Sequence, residues 1–140
     1  MKKSVLFLFA LTVIFFSGLV SKTFAQNEPI LYFCEKYDSK KGEVGVSDRF
    51  TTGYLTVMVK SDYELGLEDV SIQFDKLNER SKKFEFYKKF DYVIEPDMSY
   101  VFFSKTGEND MSFDEPGFYR VFLLNEDGET VASSLVQIIE

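Results

Sequence analysis

Carboxylates are the only abundant side chains in this sequence that could perform acid–base or metal chemistry. The chain of 140 residues contains 23 Asp and Glu residues but no histidine, no tryptophan and one cysteine. Without histidine and with a lone cysteine, Ser-His and Cys-His triads and the common Cys/His zinc sites are excluded. Most common hydrolase chemistries are therefore excluded.

The densest acidic run lies in a loop between residues 105 and 115 and contains Glu108, Asp110, Asp114 and Glu115. Calcium prefers roughly six to eight such oxygens, but neither this run nor residues 125–129 have the spacing of an EF-hand loop. Glycoside hydrolysis would need a cleft and one carboxyl with a raised pKa, which a short domain rarely offers. We predict a solvated turn with no catalytic residue, metal or cofactor. Calcium binding by the 105–115 loop stays open, and a small carboxylate-dependent hydrolase is the least favoured function.

Basic residues concentrate in one segment that also carries Phe84, Phe86 and Tyr87, and these basic residues are Arg80, Lys82, Lys83, Lys88 and Lys89. Such interleaving occurs in surfaces that bind glycans or oligonucleotides, but it is more typical of the solvated face of an edge strand. The net charge of −7 makes nucleic acid a poor partner. We predict no nucleic-acid binding and keep a glycan as the alternative for this cluster.

The N-terminal segment has the layout of an export signal. Met1-Lys2-Lys3 is positive, residues 5–20 are almost all apolar, and Thr23 and Ala25 fit the −3 and −1 positions of a cleavage site. We predict a signal peptide over residues 1–25, one domain over residues 26–140, a secreted or periplasmic location, and no membrane insertion after cleavage. A permanent membrane helix is the alternative. Cys34 follows bulky residues, so we expect it to be buried and not lipidated.

Turn residues divide the remaining chain into short extended segments without a helical period. We predict seven strands, at residues 30–37, 54–60, 70–77, 84–94, 100–104, 118–125 and 131–139. In the third strand Val70, Ile72 and Phe74 alternate with polar residues, which indicates one buried face. In the fourth strand the even-numbered residues from 84 to 94 should face the core, and Lys88 interrupts them as a bulge or an edge position would. The pattern predicts an all-β fold.

The last two strands carry a more specific signal. Residues 113–122 form an acidic turn with Pro116 and Gly117 that leads into a strand, and Asp127-Gly128 predicts a tight hairpin. This region resembles the immunoglobulin-like and fibronectin-III-like sandwiches of bacterial exported proteins, although the antibody-type cysteine pair and core tryptophan are missing. The resemblance implies a single antiparallel sandwich of about seven strands. It also implies that the Tyr119 hydroxyl bonds back to the backbone of the corner.

The strand that begins near Phe118 is apolar on both faces. If Tyr119, Val121 and Leu123 point into the sandwich, then the opposite face presents Phe118, Arg120, Phe122 and Leu124. A solitary sandwich keeps its outer face polar, so this stripe predicts a partner-binding surface unless other segments of the chain cover it.

These patterns together favour a non-catalytic binding or adaptor module that works through protein–protein contacts in the cell envelope or outside the cell. The alternative is a structural envelope subunit that self-associates through the apolar stripe or by edge-strand pairing.

Overall fold

The computed structural model describes residues 28–105 and 111–140, so the predicted signal peptide over residues 1–25 and residues 106–110 of the acidic loop lie outside the described residues. All regular secondary structure in the described ranges is β. The strands are β1 (Ile30–Cys34), β2 (Lys36–Asp38), β3 (Gly42–Val44), β4 (Arg49–Thr51), β5 (Gly53–Tyr54), β6 (Thr56–Lys60), β7 (Asp69–Asn78), β8 (Lys83–Val93), β9 (Tyr100–Phe103), β10 (Ser112–Phe113), β11 (Gly117–Leu124) and β12 (Thr130–Ile139).

Two sheets form the body of the fold. One has the strand order β1-β6-β9, the other has the order β4-β12-β11-β7-β8, and two further pairs, β2-β3 and β10-β5, flank them. All the pairings are antiparallel except that of β4 with β12, which is parallel. The fold is thus mostly antiparallel, as predicted, with one short parallel contact.

A single apolar core holds the two main sheets together. Alternate residues of each strand point inward, as the period of two requires. The buried cluster draws on both sheets and includes Phe33, Val57, Val59, Phe103, Ile72, Phe74, Tyr119, Val121, Leu123 and Val136. Removing this apolar area from water is the main force that keeps the sheets face to face. The described residues therefore form an all-β sandwich of two main sheets, and the prediction of an all-β sandwich is confirmed.

The seven predicted segments all contain strands, but their number was too low. The first predicted segment breaks at Glu35 into β1 and β2, and the second breaks at Leu55 into β5 and β6. The short strands β3, β4 and β10 lie outside every predicted segment. Each has only two or three residues, which is too short for alternation to identify it.

A β-bulge in β8 overturns the predicted orientation of Phe84 and Phe86. Phe74 pairs with Lys88 and the next residue, Asp75, pairs with Phe86, so Tyr87 is an extra residue in β8. The insertion reverses the faces on its N-terminal side, because one residue shifts the side-chain alternation by half a period. Phe86 is consequently 66% exposed and lies on the outer face.

Lys88 occupies the inward face at the same bulge. Its ammonium donates a hydrogen bond to the Ser112 carbonyl and lies 5.3 Å from the centre of the Phe113 ring. The sequence predicted that a bulge or an edge position would explain Lys88, and β8 provides both, since it is the last strand of its sheet.

The β11–β12 hairpin has the predicted tight turn. The Gly128 N–H donates to the Asn125 carbonyl over 3.0 Å, and Gly128 has φ 78°, which is the left-handed region that glycine adopts without strain. This turn sets the pairing in which Tyr119 faces Val136 and Val121 faces Ser134. It thereby fixes which side chains of β11 point away from the core.

Candidate functional site

The outer face of the five-stranded sheet carries a group of large apolar side chains around one arginine. We call this group the outer aromatic face, and it consists of Phe84, Phe86, Phe118, Arg120, Phe122 and Leu135. Phe86, Leu135 and Phe118 are 66%, 53% and 45% exposed. Phe84 and Phe122 are half-buried. Scattered exposed apolar residues are common on soluble proteins, but several gathered on one sheet face are typical of a binding surface. Asp75 of β7 lies between Phe86 and Arg120 on the same face.

Arg120 lies at the middle of the outer aromatic face. Its guanidinium carbon is 4.3 Å from the centre of the Phe84 ring and 5.9 Å from that of the Phe122 ring. Such cation–π contacts hold the flat guanidinium group against the rings. Among the residues that the structure describes, none accepts a hydrogen bond from this guanidinium or forms an ion pair with it. The exposed fork of N–H donors is thus available to an acceptor outside the chain.

The structure places three of the four predicted stripe residues on this face and removes the fourth. Phe118 and Arg120 are exposed and Phe122 is half-exposed. Leu124 is only 8% exposed, so the expectation that it belongs to an accessible surface was wrong. A register shift after Leu123 pairs Leu124 with Thr130 of β12, and on the other side Leu124 pairs with Ser71 of β7, which is itself only 8% exposed.

Sequence reasoning missed Phe84, Phe86 and Leu135, which complete the face. The bulge turns the two phenylalanines outward, and Leu135 is the β12 partner of Arg120. Alternation along β12 could have identified Leu135, because Val136 and Ile138 on either side of Gln137 occupy the buried positions.

The predicted tyrosine corner is present and fixes the orientation of β11. The Tyr119 hydroxyl donates to the Glu115 carbonyl over 2.7 Å, and the residue is fully buried. Burial raises the pKa of the Tyr119 phenol, with the Glu115 carboxylate and Tyr87 contributing. Pro116 and Gly117 form the turn between donor and acceptor, and Gly117 has φ 148°, a value that side chains rarely allow.

The two described carboxylates of the predicted acidic run, Asp114 and Glu115, lie on the surface. Glu115 forms an ion pair with Lys76 that lowers the pKa of its carboxyl. A general acid needs the opposite shift. Within residues 28–105 and 111–140 no group of three potential metal-ligating side chains converges. Glu108 and Asp110, which belong to the predicted acidic run, lie outside the described residues.

The basic segment does not form one surface. Arg80, Lys82 and Lys83 are exposed at the turn before β8 and at its first residue, whereas Lys88 points inward to Ser112. Lys89 lies on the outer face, 3.9 Å from the Asp91 carboxylate. The bulge therefore separates the five cations that the sequence placed together.

A second polar cluster, unforeseen from the sequence, fastens the β2–β3 hairpin to the three-stranded sheet. The Glu43 carboxylate accepts hydrogen bonds from the hydroxyls of Tyr32 and Tyr100. These bonds lower the pKa of Glu43 from 4.5 to about 2. Burial and the neighbouring carboxylate raise the pKa of Tyr100 to about 12. The alternating residues of a three-residue strand give too weak a signal to predict such a hairpin.

The same hairpin covers the outer surface of the three-stranded sheet. Tyr37 stacks on Phe102 with ring centres 4.4 Å apart, so the hairpin reaches from β1 across to β9. Beneath it Cys34 and Met58 are fully buried, as predicted for Cys34. The Cys34 pKa is raised, chiefly by burial.

Within the described ranges, no helix has the length and apolar character needed to cross a bilayer.

Comparisons with known proteins give one structural match. No protein family and no curated protein matches the chain. Among solved structures, the chain is similar to the crystal structure of an immunoglobulin-like protein from Pseudomonas aeruginosa, with 10% sequence identity and a TM-score of 0.46. The match covers 82% of this chain and 99% of that chain.

Proposed function

We propose that this chain is a non-catalytic, exported binding module that recognises a partner protein through the outer aromatic face. The observation that carries the proposal is the stacked, otherwise unengaged guanidinium of Arg120 among exposed aromatic side chains. Aromatic and arginine side chains are the usual energetic centres of protein–protein contacts. Each large apolar side chain on this face can contribute about 1.5–3 kcal/mol when a partner removes it from water.

The chemistry of the face indicates what the partner must offer. The free N–H groups of Arg120 suit a carboxylate or a pair of backbone carbonyls, and the rings on either side suit apolar side chains. A partner surface with one acidic group inside an apolar patch would satisfy both requirements. With a net charge of −7, two copies of the chain repel each other, which favours a distinct partner over a second copy.

The proposed absence of catalysis rests on the carboxylates. Asp38, Glu43 and Glu115 have lowered pKa values, each caused by hydrogen bonds to the ionised form. Such carboxylates are stable anions and poor proton donors at neutral pH. We further propose that an export signal over residues 1–25 directs the module to the periplasm or outside the cell. Intact mass of the mature protein tests this, with Gln26 as the expected first residue.

A photo-crosslinking experiment tests the binding face. The photoreactive residue p-benzoylphenylalanine replaces Phe118 in the full-length chain, which is produced in cells, irradiated and analysed by mass spectrometry. We expect one adduct with a defined partner protein, which is lost when Arg120→Glu is added. The matched control places the same residue at Tyr63, an exposed loop position away from the face.

The alternative of a self-associating subunit has a separate signature in this experiment. An adduct between two copies of the chain, together with a mass that rises with concentration, would replace the distinct partner by a second copy. Equal labelling from positions 118 and 63, unaffected by Arg120→Glu, would reduce the face to ordinary surface.

A further inference from the structure

A different part of the molecule, the free edge of the three-stranded sheet, also has features of a binding site. β9 is the last strand of that sheet and β8 is the last strand of the five-stranded sheet. The two edges lie on the same side of the sandwich, because the rings of Tyr92 and Phe103 have centres 4.9 Å apart. Nowhere in the described chain does a strand pair with the outer side of β9.

The backbone of β9 presents hydrogen-bonding groups to this open side. The Ser61 N–H donates to the Ser99 carbonyl over 2.8 Å, which shows that residue 99 directs its backbone groups toward β6. Direction alternates along an antiparallel strand, so residues 101 and 103 also face β6. The N–H and C=O groups of Tyr100 and Phe102 therefore point away from the sheet, and they make no other hydrogen bond to the described backbone.

An apolar groove lies beside these groups. It has a volume of about 250 Å³ and runs between the end of β8 and the edge of β9, where Val93, Met98 and Phe102 contribute exposed walls. Small-molecule sites usually occupy roughly 300–1,000 Å³, so this groove is closer in size to one or two apolar side chains. Unpaired backbone groups next to a side-chain-sized apolar groove are the two elements of recognition by strand addition.

The contrast with β8 shows that only one of the two edges is open to a strand. β8 carries a bulge at Tyr87, an inward lysine at position 88 and further charges at Lys83 and Lys89, which are devices that prevent edge pairing. β9 has the sequence Tyr100-Val101-Phe102-Phe103, without charge, proline or bulge. Its edge is short, which limits pairing to a few residues and makes the groove contacts decisive.

We propose that the free edge of β9 binds an extended segment of a partner protein as a fourth strand. The segment pairs with the backbone of Tyr100 and Phe102 and places an apolar side chain in the groove. The walls of the groove carry no charged side chain, so the paired part of the segment is uncharged. This surface is separate from the outer aromatic face, and the proposal does not depend on the function proposed for that face.

A peptide with the β6 sequence provides the probe, because β6 already pairs with β9 through the opposite edge. The acetylated and amidated peptide of residues 55–59, which carries no charge, is added to the full-length protein, and amide exchange is followed by NMR. We expect the exchange of the Tyr100 and Phe102 amides to slow by about tenfold or more, whereas the Val101 amide, already bonded to β6, changes little. The control peptide has N-methyl groups at alternate residues and should not bind.

Two variants test the site in the protein. Phe102→Pro removes an N–H that points to the free edge but none that bonds to β6. In this variant the peptide should no longer slow the exchange of the Tyr100 amide. Phe102→Glu leaves the backbone intact and charges the rim of the groove, and it should weaken peptide binding about tenfold, which is readable even if the proline variant unfolds. Binding that survives N-methylation of the peptide, or no slowing at millimolar peptide, would overturn the proposal. Slowing that appears on concentrating the protein alone would also overturn it, because the occupant would then be a second copy.

Discussion

At the scale of single residues, Tyr119 connects the turn before β11 to the orientation of that strand. The hydroxyl satisfies the Glu115 carbonyl, and the ring fills the core between Tyr87 and Phe113. Tyr119→Phe should lower the free energy of unfolding by about 1–3 kcal/mol, because it leaves a backbone acceptor without its partner while hardly changing apolar volume. Urea denaturation measures the loss, and Tyr63→Phe at an exposed position is the control.

Phe118→Ser, at the neighbouring position, should cost less than Tyr119→Phe because its side chain is already 45% exposed. A larger loss for Phe118→Ser would mean that the inward and outward faces of β11 are interchanged.

The Glu43 carboxylate makes the free energy of unfolding depend on pH between about 4.5 and 2. Its folded-state pKa of about 2 lies below the ordinary value of 4.5. A lowered pKa means that the ionised carboxylate stabilises the folded state fully above about pH 4.5, and that this contribution is lost as pH falls toward 2. The difference in urea midpoint between the natural protein and Glu43→Gln should therefore be largest at pH 7 and shrink between pH 4.5 and 2. Glu64→Gln, at an exposed loop position, should show no such trend.

At the scale of elements, the β7–β8 turn contains local strain. Lys82 has φ 57°, a left-handed conformation that costs a side-chain-bearing residue about 1–2 kcal/mol, and its N–H closes the turn on the Asn78 carbonyl. Lys82→Gly should raise the free energy of unfolding by up to about 1 kcal/mol, after the greater chain entropy of glycine in the unfolded state is subtracted. Thermal melts measure the gain. Lys83→Gly, one residue later in β8, should be destabilising instead.

The strand pattern of the sequence predicts most of the elements but not their irregularities. Val70, Ile72 and Phe74 alternate without interruption, and β7 follows that pattern as predicted. In β8 an apolar residue at every even position looked like one continuous face, yet the bulge divides it, because pairing with β7 and the position of Lys88 decide the faces of Phe84 and Phe86. Local alternation contains no information about such long-range pairing.

The same limit explains which members of the outer aromatic face the sequence did not reveal. Three of its members were predictable from β11 alone, since alternation there is regular from Phe118 to Phe122. Leu124 was misplaced because its burial depends on its neighbours, Ser71 of β7 and Thr130 of β12, which alternation within β11 does not reveal. Leu135 and the two phenylalanines of β8 join the face only through the order β12-β11-β7-β8, which no single segment specifies.

At the scale of the whole molecule, net charge and apolar surface have opposite effects on association. The charge of −7 repels a second copy, and the outer aromatic face attracts any apolar surface. We expect sedimentation equilibrium to give a monomer at micromolar concentration and low salt. Raising the salt screens the repulsion, so any weak dimer should then appear, and Phe118→Ser should suppress it. A dimer that persists at the lowest concentration, whatever the salt, would instead indicate a stable homodimer.

Because the β2–β3 hairpin covers Cys34, the rate at which the Cys34 thiol is labelled reports local opening of the hairpin. The thiol is fully buried beneath the hairpin, so a thiol-specific reagent can react only during moments when the hairpin lifts. When closing is fast, the labelling rate equals the intrinsic rate multiplied by the opening equilibrium constant. Glu43→Gln should therefore accelerate labelling at pH 7 in conditions where global unfolding is negligible, and Tyr119→Phe should change labelling only in proportion to its effect on global stability. One cysteine, followed by absorbance over time, thus measures the fraction of molecules in which this face of the sandwich is open.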